Sequence, residues 1–169
     1  MEQDKKITTL QKGLLISGLL IVISVGFYVA GFQTQKWTQW IGYLIFMTGV
    51  MWACISYGKE NDNMISFGNI FSHGFKVSSI ITCMMIAFSV VFVLLYPEIK
   101  ETAMDMARQE MEKNEQMTEE QIEMALSMTQ KYFTVFMIGG ALVGYLIMGA
   151  IASLIGAAVT KKNPSTPFE

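Results

Sequence analysis

Long uninterrupted apolar runs dominate the chain, and their length rather than any fine periodicity predicts its elements. A bilayer core of about 30 Å is crossed by roughly 20 apolar residues in a helix, and four segments reach that length. The first, 13–32, carries no charge and contains twelve Leu, Ile, Val or Phe residues. The second covers 40–57, between Lys36 and Lys59, and the third covers 77–96, closed by Pro97. The fourth, 132–159, has 28 uncharged residues, enough for about 42 Å of helix, so it must tilt or protrude. Lys5, Lys6 and Lys12 give the first run a basic start, as in a signal peptide. The run is too long for an ordinary signal core, so it is read as an uncleaved anchor.

The pattern changes at 97–131. Residues 98–131 carry thirteen charges and cannot lie in hydrocarbon, where each would cost about 2.5–3.5 kcal/mol. Pro97 suits a first helical position, with Glu98 and Glu101 favourable in the first turn. Ile99, Ala103, Met106, Ala107 and Met111 then recur at helical spacing, and Asn114 supplies a stop. Thr118 with Gln121 reads as a capping box opening a second helix, with Ile122, Ala125 and Leu126 on its apolar face. No breaker separates that helix from the fourth span, so the two are expected to be continuous. The expected fold is all-α: one membrane domain over 1–169, an integral membrane four-helix bundle with an extramembrane acidic helical hairpin between spans three and four.

Composition sharpens this picture. Hydrophobic residues make up 52% of 169 and charged residues 15%, which excludes a soluble enzyme domain and a disordered chain. The net charge of −2 leaves no basic face for nucleic acid. Nine of the fourteen acidic residues fall between Glu98 and Glu123, so the acidic excess belongs to one element. Basic residues gather elsewhere: Lys5, Lys6, Lys12, Lys59, Lys76, Lys161 and Lys162 would share one side of a four-span topology. The positive-inside rule then puts both termini in the cytoplasm and the hairpin on the outer face. Tyr28, Trp37, Trp40, Tyr96 and Tyr132 would form an aromatic belt at the outer interface.

Candidate chemistry is sparse. Met104, Met106, Met111, Met117, Met124 and Met128 could offer thioethers to Cu(I), but their helical spacing favours filling of a two-helix seam. The hairpin's charge reads as a solvated face before a docking surface for a basic partner or cations. Residues 64–75 place Met64, Phe67, Phe71 and Phe75 on one helical face, which predicts a short helix lying in the interface. Gly68 and Gly74 would break it or admit a close backbone. The sole histidine, His73, has no ligand or catalytic partner at sequence spacing and is expected to be exposed. Cys54 and Cys83 fit buried thiols rather than a disulfide. In the fourth span Gly140, Gly144, Gly149, Ser153 and Gly156 form small-residue stripes of the kind that let helices approach, and Gly26 with Ala30 could supply a matching groove. No charged residue falls within the four runs so delimited, which disfavours ion-coupled transport.

The segment ISFGNIFSHGF before the third span, with Phe67, Gly68, Phe71 and Gly74, and the Tyr96-Pro97 step opening the acidic insert, resemble family 4199 of the domains of unknown function. The resemblance extends from about Leu10 to Val159, and Lys161-Lys162 after a Gly/Ala-rich last span also fits. It implies a multi-pass protein of the bacterial cytoplasmic (inner) membrane and carries over no functional residue. The expected function is therefore a non-enzymatic protein without catalytic residues, cofactor or metal. Its partners would be the lipid bilayer and either another membrane protein or itself as a homo-oligomer, with no nucleic acid. The alternative is a small oligomeric transporter or channel subunit that uses the hairpin as a cation-collecting vestibule.

Overall fold

A computed structural model describes residues 7–32, 35–113 and 117–161. All regular structure among them is helical: α1 (Thr9–Val29), α2 (Lys36–Glu60), α3 (Phe67–Leu95), α4 (Glu98–Glu112), α5 (Glu119–Lys131) and α6 (Phe133–Val159). Four of these, α1, α2, α3 and α6, are long and apolar enough to cross a membrane. The predicted stop at Asn114, and Lys5, Lys6 and Lys162 of the charge argument, lie outside the described residues.

Local chemistry sets the helix ends. Thr8 and Gln11 form a reciprocal capping box, with Gln11 N donating to Thr8 Oγ1 at 3.3 Å and Thr8 N to Gln11 Oε1 at 2.9 Å. The box starts α1 at Thr9, four residues before the predicted span. At the other end Gly31, at φ +73°, lets Phe32 N reach Phe27 O and Gly31 N reach Tyr28 O, a Schellman stop that shortens the predicted run by three residues. Asp62 and Asn63 adopt left-handed φ values after α2, and Ser66 caps α3, its Oγ accepting from Asn69 N at 3.4 Å. The predicted box at Thr118–Gln121 is present, with N–O distances of 3.4 and 3.0 Å.

Two expectations about continuity are reversed. Residues 67–75 are the first turns of α3, not a separate interfacial helix. The predicted continuous helix from α5 into the fourth span breaks at Tyr132, whose φ of −110° and ψ of 23° end α5. Pro97 stands one place outside the predicted position, as the N-cap of α4.

The chain divides into two compact units. The first takes residues up to Met85 and from Val143 onward, bringing α1, α2, most of α3 and the later part of α6 together. Ile16, Leu20, Phe46, Val50, Cys54, Ile70, Val77, Ile81, Ala152 and Ala157 are buried in it. Its outward residues are apolar as well, Leu15, Val22, Leu44 and Ile147 each being more than half exposed. An apolar surface around a packed core is what lipid-facing helices require. Several hydroxyls inside these helices are satisfied locally: Ser17 donates to Leu14 O, Thr48 to Leu44 O, Thr82 to Ser78 O and Ser153 to Gly149 O.

The second unit is Ile86–Leu142. Within it α4 packs on α5. Arg108 Nη2 stands 3.9 Å from Glu123 Oε1, while Gln130 lines a depression with Lys100 and Glu101, so the two helices run antiparallel. Ile122 is its buried anchor, with Met106, Ala107, Met111, Ala125 and Leu126 half-buried around the seam. Met124 and Met128 point outward instead, which speaks against one convergent set of thioethers.

Candidate functional site

The helix extensions at both ends of the α1–α2 hairpin bring charge into the first unit. On α1 the capping box turns Thr9, Lys12, Gly13, Ile16, Ser17 and Leu20 onto one helical face, of which all but Thr9 are buried. On α2 Ser56 and Glu60 stand one turn apart, and Tyr57 lies between them. On α3 the buried stripe begins at Ile70 and passes through His73 and Gly74 to Val77 and Ser78.

These faces meet in a polar cluster. Lys12 Nζ lies 2.8 Å from Glu60 Oε1, with the lysine side chain wholly buried and the glutamate 22% exposed. The same oxygen accepts from Ser56 Oγ at 2.9 Å. Beside it the His73 imidazole stacks on Tyr57, ring centroids 4.0 Å apart and planes within 4°. His73 Nδ1 stands 3.4 Å from Thr9 Oγ1. Nε2 is buried and has no hydrogen-bond partner among the described residues. The expectation of an exposed histidine is thus reversed, because α3 starts early enough to bury its second turn.

One layer deeper, small residues let backbones close on a thiol. Cys54 Sγ donates weakly to Ile70 O at 3.8 Å and Ser153 O at 4.0 Å. A Cβ at Gly74 would clash with Cys54 and Ser153, and one at Gly156 would stand 2.9 Å from Cys54. At Gly149 it would run into Ser78. Gly149, Ser153 and Gly156 are therefore packing residues inside this unit. Gly140 and Gly144 are not: a Cβ at either meets nothing within 4 Å among the described residues. Gly26 is equally open, so the matching groove expected there is not formed. Of the 64–75 stripe, Phe67 and Gly68 remain exposed at the start of α3, and Phe71 packs against the Cys54–Ile70–Ala157 cluster. Cys54 is buried as expected, whereas Cys83 is exposed.

Hydropathy missed Lys12 and Glu60 because both lie outside the uncharged windows. The Thr8–Gln11 box was the signal that could have recovered Lys12, since it fixes the helix start independently of hydropathy. No three His, Cys, Asp or Glu among the described residues stand close enough to hold a metal ion. The cluster can do two things: tie the near ends of α1, α2 and α3 by a desolvated ion pair, and present three proton-exchanging groups in one place.

A family model described as Protein of unknown function (DUF4199) matches residues 11–162. No curated protein and no solved structure matches the chain.

Proposed function

The chain belongs to the DUF4199 family of unknown function, and on that footing we propose that it is a non-enzymatic multi-pass protein of the bacterial inner membrane that works by association. Its partner is another membrane protein or a second copy, met along α6. The observation that carries this reading is the split fate of the α6 small residues. Gly149, Ser153 and Gly156 are consumed against α2 and α3, whereas a Cβ at Gly140 or Gly144, one helical turn apart, would meet nothing within 4 Å among the described residues. Between helices in lipid, where no hydrophobic force joins them, such a face is what permits close approach. In this reading α4 and α5 stand outside the bilayer on the outer face, with both termini cytoplasmic. The exposed acidic surface of the pair supports that placement, as do exposed Lys59, Lys76 and Lys161 elsewhere on the chain.

Gly144→Leu tests it against Gly149→Leu. Gly144→Leu should keep the fold and abolish proximity crosslinking to the partner or second copy in native membranes. Gly149→Leu should lose the fold itself, because its side chain would displace Ser78. Undiminished crosslinking in Gly144→Leu would remove the basis of the proposal.

The buried Lys12–Glu60 pair beside His73 favours one second reading, a small transporter or channel subunit, since charges inside candidate spans often serve ion pathways. Ion flux in proteoliposomes separates it from the association reading.

A further inference from the structure

The first unit also holds a cavity of about 340 Å³ beside the α1–α2 turn, open on one side. Three helices build it. Ser24 and Phe27 come from α1, Gln39, Gly42 and Tyr43 from α2, and Tyr145 from α6. Its volume lies within the range of small-molecule sites.

The wall combines flat aromatic faces with uncharged hydrogen-bonding groups. Tyr43 and Tyr145 stand with ring centroids 6.3 Å apart, and Tyr145 is fixed from behind by Phe46 at 5.2 Å in an edge-on contact. On the α1 side Phe27 is held by Trp37 at 5.6 Å. The Thr38 hydroxyl is committed to Gln35 O at 2.7 Å. No such internal bond engages the Tyr43 or Tyr145 phenol, the Ser24 hydroxyl or the Gln39 amide among the described residues. Gly42 keeps the space open, because a Cβ there would meet nothing within 4 Å.

Among the described residues no formal charge lines this wall. Against these residues a phosphate or carboxylate meets no counter-charge, and an ammonium group meets no carboxylate. What the lining suits is a neutral, flat ring that brings hydrogen-bond acceptors to phenol, hydroxyl and amide donors and stacks on tyrosine. Trp40, which follows Gln39 in the chain, is exposed, and tryptophan is enriched at headgroup depth, where a membrane-borne ring with a long apolar tail can present its carbonyls. We propose that this cavity is a binding site for an isoprenoid quinone, held by its carbonyls and ring face with the tail left in the bilayer.

The test uses the full chain in phospholipid nanodiscs, with decylubiquinone as the probe and quenching of intrinsic tryptophan fluorescence as the readout. Wild type should quench saturably. Tyr145→Phe, which removes one oxygen, should weaken binding about five- to tenfold, as expected for one lost hydrogen bond. Gly42→Phe should abolish the saturable component, its ring entering the cavity from a Cβ position that meets nothing within 4 Å among the described residues. Should Gly42→Phe fail to fold by circular dichroism, Tyr145→Phe decides alone. Quenching that rises linearly and equally in all three proteins is simple partitioning and overturns the proposal. So does native mass spectrometry that finds phospholipid retained and decylubiquinone excluded.

Discussion

At the scale of single residues, the unusual feature is a lysine with no exposed side-chain surface. An ammonium group there depends on Glu60, so the two partners are not equivalent. Glu60→Ala strands Lys12 in a desolvated position and should destabilise the protein by about 3 kcal/mol, as for other broken buried pairs. Lys12→Met leaves Glu60 partly in solvent and bonded to Ser56, and should cost no more than about 1 kcal/mol. The double variant Lys12→Met with Glu60→Gln should recover most of the Glu60→Ala loss. Thermal unfolding in one detergent, followed by circular dichroism, measures all three, and equal losses for the two single changes would refute the asymmetry. His73 makes a second test. Phenylalanine keeps a flat face on Tyr57 and removes the unpartnered Nε2, whose burial costs about 1–3 kcal/mol, offset by the weak Thr9 contact. His73→Phe should therefore be neutral or stabilising by about 1 kcal/mol, whereas a clear fall in melting temperature would show that the imidazole is needed.

At the scale of elements, capping chemistry proved a better guide to helix ends than hydropathy. The Thr118–Gln121 box was readable because two side chains three apart state a helix start without reference to tertiary structure. Thr118→Ala should cost α5 about 1 kcal/mol, seen as faster amide exchange over its first turn with the first unit unchanged. The four long helices were equally readable, since length and lack of charge suffice. What hydropathy could not give was the state of residues beyond the uncharged windows. Phe67 to Phe75 looked like an interfacial stripe because its aromatics share a face, yet the opposite face, Ile70, His73, Gly74 and Val77, is the one that packs. Which face wins is set by the Cys54 and Ser153 side chains waiting on other helices, information that no local window contains. The same holds along α6, where small residues at the same spacing are packed against neighbours in one stretch and leave room for a Cβ in another.

At the scale of the molecule, the proposed orientation rests on charge distribution. In a background carrying Cys54→Ala and Cys83→Ala, Glu119→Cys should react with a membrane-impermeant maleimide added to spheroplasts. Lys161→Cys should react only after permeabilisation, and the reverse pattern would invert the topology. The Lys12–Glu60 pair also has a consequence in time. Lys12 leaves the ribosome 48 residues ahead of its counter-charge. At roughly 5–20 residues per second it waits on the order of two to ten seconds before Glu60 has been made. During that interval α1 carries an unpaired ammonium at its start and α2 is still being translated. The first helix can therefore settle in its final position only together with the second, which makes α1 and α2 a single step of biogenesis, closed by the arrival of one carboxylate.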